Sequence, residues 1–199
     1  MKYLKYFESK TDIDAICKKY GIENYTINSD GTVDVNGDVY LNNRGLTKLP
    51  LKFGYVSGDF NCEINKLTSL EGSPSEVVGD FYCDDNQLTS LEGCPKKVGG
   101  SFDCGYNQLI NLEGAPSEVG GDFFCSFNKL KSLLGAPEEI GGYFYCYNNP
   151  NLPEEIKNNP KYINKIVKYQ NDYNIWRRDG TLDSYRFSDM MKEIMEEAK

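Results

Sequence analysis

Apolar and polar positions recur along this chain with a fixed period of 21 residues. From Val56 onward, Phe60, Phe81, Phe102, Phe123 and Phe144 fall in one column. Cys62, Cys83, Cys104, Cys125 and Cys146 fall in a second, and Asn65, Asn86, Asn107, Asn128 and Asn149 in a third. Leu67, Leu88, Leu109 and Leu130 make a fourth, and Leu70, Leu91, Leu112 and Leu133 a fifth. A worn copy precedes them in Val35, Gly37, Val39, Leu41, Leu46 and Leu49. A period of this length marks a solenoid, in which each repeat is one coil that buries its apolar residues only against its neighbours.

The pattern within a coil predicts one short strand, around Gly79 to Cys83 in the second full repeat, stacked in parallel on its equivalents. Side chains alternate along a strand, so Phe81 and Cys83 point inward. Asn86 is expected to turn inward and satisfy the backbone of the next coil. The Glu-Gly-x-Pro turn, Glu92 to Pro95 for example, brings the chain round. Six such strands would span about 25 Å.

Both ends of such a stack need covering. Residues 1–34 read as an N-terminal cap. Met1 to Glu8 makes a short amphipathic lead-in, Thr11 N-caps a helix to about Tyr20 that stops at Gly21, and a hairpin turns at Ser29-Asp30-Gly31. Residues 35–152 are the solenoid. Residues 153–199 read as a C-terminal helical cap or arm. There Pro153 opens a short helical turn and Asn159-Pro160 start a helix with Ile163, Ile166, Val167 and Gln170 on one face. Trp176 is a packing anchor, and Ser188 caps a last helix. The fold class is an α+β repeat solenoid.

The coil spacing G-x-F-x-C-x-x-N-x-L-x-x-L-x-G-x-P-x-x-V resembles the leucine-rich repeat, with Phe and Cys at its fourth and sixth positions, Asn at the ninth and Leu at the eleventh. The departure is the first Leu position, which holds Ser57, Val78, Gly99, Gly120 and Gly141. The Cys-containing form is similar to repeat proteins encoded as uncharacterised reading frames in tailed bacteriophages and some bacteria. That resemblance implies a binder of a host defence or regulatory protein, or a virion or assembly protein. Some bacterial leucine-rich-repeat effectors carry a ubiquitin-ligase domain with a catalytic Cys, but no Cys follows Leu152 here.

Charge narrows the partners. The formal net charge is −8, and 15 acidic against 8 basic residues lie between Val35 and Leu152. Such a surface repels polyanions, so direct nucleic-acid and anionic-membrane binding are disfavoured and a basic or apolar protein surface is favoured. No apolar run is long enough to span a bilayer, and Met1–Glu8 is too charged and short for a signal peptide. A cytoplasmic location follows as the expectation, the host cytoplasm if the chain is phage-encoded. The seven cysteines are then expected to be reduced. Core cysteines come one per coil and the chain lacks His, so they read as small buried packing groups and not as metal ligands. No cofactor is expected, and without His the usual general base is missing.

Function is left to the outward columns, which change from coil to coil. Asp59, Glu63, Asp80, Asp84, Asp85 and Asp103 gather in the early and middle coils, with Tyr82 among them. Tyr106, Phe124, Phe127, Tyr143, Tyr145 and Tyr147 gather towards the C-terminal end. Aromatics beside charge suit a protein contact. Carbohydrate binding or cleavage by a carboxylate pair is the chemical alternative. The segment after Leu152 either covers Tyr143, Tyr145 and Tyr147 or forms an arm for a partner or a second copy.

Overall fold

The computed structural model describes residues 10–197, so the lead-in expected over Met1–Glu8 lies outside the described residues. Helix α1 (Lys10–Tyr20) buries Ile13 and Cys17. Lys10 is already helical, so Thr11 lies inside the first turn and does not cap it. The helix stops where expected. Gly21 takes φ 70°, its N–H reaches Lys18 C=O at 3.3 Å, and Ile22 N–H reaches Cys17 C=O at 2.9 Å. This paired closure needs a left-handed residue that glycine adopts without strain.

Strands β1 (Tyr25–Ile27) and β2 (Val33–Val35) form the antiparallel hairpin. After them each coil contributes two short parallel strands, where one was expected. The Phe column lies in β3 (Val39–Tyr40), β5 (Phe60–Asn61), β7 (Phe81–Tyr82), β9 (Phe102–Asp103), β11 (Phe123–Phe124) and β13 (Phe144–Tyr145). The Val column lies in β4 (Phe53–Val56), β6 (Glu76–Val77), β8 (Lys97–Val98), β10 (Glu118–Val119) and β12 (Glu139–Ile140). The first set makes a six-stranded sheet and the second, joined by β1 and β2, a seven-stranded one. Register is kept from coil to coil, with Phe60 opposite Phe81 and Val77 opposite Val98, and shifts where β2 meets β4, between Val33 and Val35. The molecule is a β-solenoid with a helix and hairpin at one end and helices at the other.

The core runs along the stack. Phe60, Phe81, Phe102, Phe123 and Phe144 lie face to face with centroids 5.2–5.4 Å apart and planes within 12°. Phe53 closes the N-terminal end of this column edge-on at 5.1 Å. Each such pair adds about 0.5–1.5 kcal/mol beyond area burial. Two buried leucines per coil fill the rest. The cysteines Cys62, Cys83, Cys104 and Cys125 are fully buried, and burial pushes their thiols up. Cys104 Sγ donates to Phe124 C=O of the next coil at 3.3 Å.

The Asn column turns inward, but it joins the preceding coil and not the following one. Asn86 Oδ1 accepts from Leu67 N–H at 2.9 Å. Its Nδ2 donates to Cys62 C=O of that same earlier coil at 3.0 Å, and to Cys83 and Asp84 C=O of its own. The strand ladder uses Asp103 and Gly105 C=O and leaves the Cys carbonyls over, and each of these is taken by the Asn of the following coil, Cys83 C=O by Asn107 and Cys104 C=O by Asn128.

The C-terminal segment plugs the open end. It comprises α2 (Glu154–Lys157), a 3-10 turn at Pro160–Tyr162, α3 (Ile163–Tyr169) and α4 (Ser184–Glu196). Asn164 of α3 stands where a further strand would pair with β13. Its Nδ2 donates to Gly142 C=O at 2.9 Å and its Oδ1 accepts from Phe144 N–H at 3.2 Å. One side-chain amide thus imitates the backbone of a missing coil. Asn159 precedes the Pro160 turn as expected, yet donates to Glu155 C=O instead of capping. Ser188 lies inside α4; the cap is Asp183, whose Oδ1 accepts from Arg186 N–H. Trp176 is buried and donates to Gln170 Oε1 at 2.6 Å. Among the described residues no helix is long and apolar enough to cross a membrane.

Candidate binding surface on the six-stranded sheet

The outer side of the six-stranded sheet is built from four columns. Three of them point outward by strand alternation. The column just before the Phe has a structural task. Asp38 Oδ1 accepts from Asp59 N–H, Asp59 Oδ1 from Asp80 N–H and Asp80 Oδ1 from Ser101 N–H, at 2.6–2.8 Å. Ser101 Oγ then accepts from Asp122 N–H and Asp122 Oδ1 from Tyr143 N–H. Each side chain serves the amide one coil ahead, at a bend where no strand partner reaches it. The glycines preceding this column leave room for it, since a Cβ on Gly100 would lie 2.1 Å from Asp80 Oδ1. Asp80 is committed twice, because Tyr82 Oη donates to its other oxygen at 2.7 Å. Asp59 and Asp80, both expected on the binding face, therefore hold the coils together with one oxygen each.

Free negative charge concentrates in the next two columns. Asp84 sits between Glu63 and Asp103 of the neighbouring coils, and its Oδ1 is buried without a hydrogen-bond partner. Burial first, then the charges of Asp103 and Glu63, push the Asp84 carboxyl up to about 7. Burial also raises Asp103, partly opposed by the Gly105 N–H that its Oδ1 accepts at 2.8 Å. Asp85 is exposed beside them. No ion pair among the described residues involves any of these carboxylates. No group of three or more acidic or Cys residues among the described ones is arranged to hold a metal ion.

The fourth column is outward for a reason other than alternation. Asn43, Ile64, Asp85, Tyr106, Phe127 and Asn148 all take φ between 49° and 58°, the left-handed region. This turn carries the chain out of the strand and throws each side chain into solvent. Asn and Asp adopt it readily; for Ile, Tyr and Phe it costs about 1–2 kcal/mol. The signal was present in the Asn and Asp members of the column.

The aromatic residues form one patch. Tyr106 and Phe127 stack at 4.2 Å, and Phe124 and Tyr145 at 4.8 Å. Tyr145 also touches Tyr143 and Tyr147, at 6.2 and 6.1 Å. Tyr106 is 55% exposed, Tyr143 66% and Tyr147 60%. The C-terminal segment does not bury Tyr143 or Tyr147. It packs on the end of the stack, where it and the last coil enclose a cleft of about 540 Å³ between Phe144, Cys146, Leu152, Ile156 and Ile163. Acidic and aromatic halves thus share one face, meeting near Asp85 and Tyr106 in adjacent coils. Searches found no matching family model, no matching curated protein and no matching solved structure, so function has to be read from this chain's own geometry.

Proposed function

We propose that this chain is a non-enzymatic module that binds another protein through the outer face of its six-stranded sheet. The observation that carries the reading is the left-handed column. Tyr106 and Phe127 are 55% and 43% exposed, so burial of the remainder returns about 1 kcal/mol each. That barely offsets a left-handed backbone cost of about 1–2 kcal/mol. Their mutual stack adds about 0.5–1.5 kcal/mol, which leaves the balance near zero, so folding gains little from large aromatics there, whereas a contact surface gains from them. The absence of His from the chain fits binding better than catalysis. The resemblance to phage repeat proteins adds a host defence or regulatory protein as the target.

The test is a pull-down from bacterial lysate with the wild type and with the variant Tyr106→Ala, Phe124→Ala and Tyr145→Ala, whose fold is checked by circular dichroism. A protein retained by the first and lost by the second is the expected result. The same protein on both would move the site elsewhere, and no retained protein would count against the reading.

A further inference from the structure

We infer that the partner engages this face with an extended segment, cationic at one end and apolar at the other, that runs across the coils. Its Lys or Arg side chain meets Asp84, and its aromatic or aliphatic side chains lie on the Tyr106–Phe127 and Phe124–Tyr145 stacks. This deepens the protein-binding reading and rests on it.

Charge complementarity carries the argument. The four outer columns contain eight Asp or Glu residues and no Lys or Arg. Four of those carboxylates (Asp38, Asp59, Asp80 and Asp122) each give an oxygen to the amide one coil on. Asp84 has no such task, and its Oδ1 is buried without a partner. Asp84 as a whole is only half-buried, so an incoming ammonium or guanidinium reaches its carboxylate from the open side and relieves the repulsion from Glu63 and Asp103. A cation at Asp84 would favour its ionised form, so binding strengthens as pH rises through about 7.

Geometry sets the segment's length. Asp84, Phe127 and Tyr145 belong to different coils of one stack, Asp84 being two coils before Phe127 and three before Tyr145. At about 4.8 Å per strand those separations are roughly 10 and 14 Å. An extended chain rises about 3.3 Å per residue, so the cationic and apolar side chains stand about three to four positions apart. A short linear segment reaches both halves.

The test pans a library of random dodecapeptides displayed on phage against the wild-type chain, then measures the selected peptides on variants. Asp84→Asn with Glu63→Gln probes the acidic end, and Phe127→Asn with Tyr106→Asn the apolar end, each checked for fold by circular dichroism. The expected selection pairs Lys or Arg with an aromatic or aliphatic residue about three to four positions away. Those peptides should bind each variant about tenfold more weakly, as for loss of one good contact, and bind the wild type less well at higher salt. Selected peptides without cationic preference, or cationic ones indifferent to Asp84→Asn with Glu63→Gln, would overturn the inference. If the lysate partner still needs the aromatics in that case, the protein-binding reading stands alone. No selected peptide, with glycan-array binding lost on the aromatic variant, would overturn both in favour of a sugar ligand.

Discussion

The inward Asn column offers the most direct test of what spaces the coils. Asn107 is buried, accepts from Leu88 N–H at 2.9 Å and donates to Cys83, Cys104 and Gly105 C=O at 3.0–3.2 Å. Those carbonyls have other donors, in Asn86, Asn128 and the Asp85 amide. The Leu88 N–H is left with nothing when Asn107 becomes Ala. One orphaned buried donor costs about 1–3 kcal/mol, and the lost net hydrogen bonds about 1 more, so Asn107→Ala should cost about 3 kcal/mol. Asn107→Asp keeps the acceptor for Leu88 but turns an oxygen towards the carbonyls. Its buried carboxyl is held protonated, with a pKa above its unfolded value. Its native state therefore binds more protons than the unfolded chain, and the deficit against wild type shrinks as pH falls. The assay is equilibrium urea unfolding followed by far-ultraviolet circular dichroism at pH 7 and pH 5. Trp176 fluorescence run in parallel checks that the C-terminal segment unfolds with the coils. Both variants within about 0.5 kcal/mol of wild type would refute the argument, because water would then be serving Leu88.

Three further outcomes follow from the same geometry. Asp80→Ala strips the Ser101 amide and the Tyr82 hydroxyl of their acceptor and should cost about 1–2 kcal/mol in urea unfolding, whereas Asp85→Asn, which has no such task and keeps a side chain that tolerates the left-handed turn, should cost little; equal effects would remove the ladder role. The raised Asp84 carboxyl means that the native state holds a proton the unfolded chain releases near pH 4. Stability from this group is thus fully present below about pH 4 and lost as pH rises through about 7; Asp84→Asn should flatten that part of the profile, and a carboxyl titration near 4 by NMR would contradict it. Asn164→Ala should speed hydrogen exchange at the Phe144 amide and leave Phe102 unchanged, since only the β13 edge loses its partner; an unaltered Phe144 rate would mean that Asn164 is not the plug.

The parts of the fold that could be read directly were those with one residue type per column. Phe81, Cys83, Asn86, Leu88 and Leu91 all face inward, and an inward position tolerates little change from coil to coil. The seven-stranded sheet was hidden because its strands are mostly two residues long and several run straight into glycine, as Lys97–Val98 does into Gly99, which reads as turn. The Asp ladder was visible as a column but not as a structure. A repeated exposed carboxylate looks like a solvated face until the amide 21 residues on is seen to need it. The preceding glycines, Gly79 and Gly100 among them, were the clue, since only a missing Cβ admits the carboxylate. At the candidate surface, the grouping of Tyr106, Phe124, Phe127, Tyr143, Tyr145 and Tyr147 was legible. Their stacking in pairs was not, nor was the turn conformation that lifts Tyr106 and Phe127 outward, because it runs against the propensity of both residues.

Asn164 has a consequence for how such a molecule can change size. Because a single amide meets the last strand through the contacts any coil would make, the terminal helices recognise a generic rung and not a particular one. Copying Val98–Glu118 in place would lengthen both sheets by one rung and leave the two ends undisturbed. Length can then grow or shrink in quanta of about 4.8 Å. The outer face behaves as a ruler whose graduations carry interchangeable side chains, and a new contact can be written on one rung without rewriting the others.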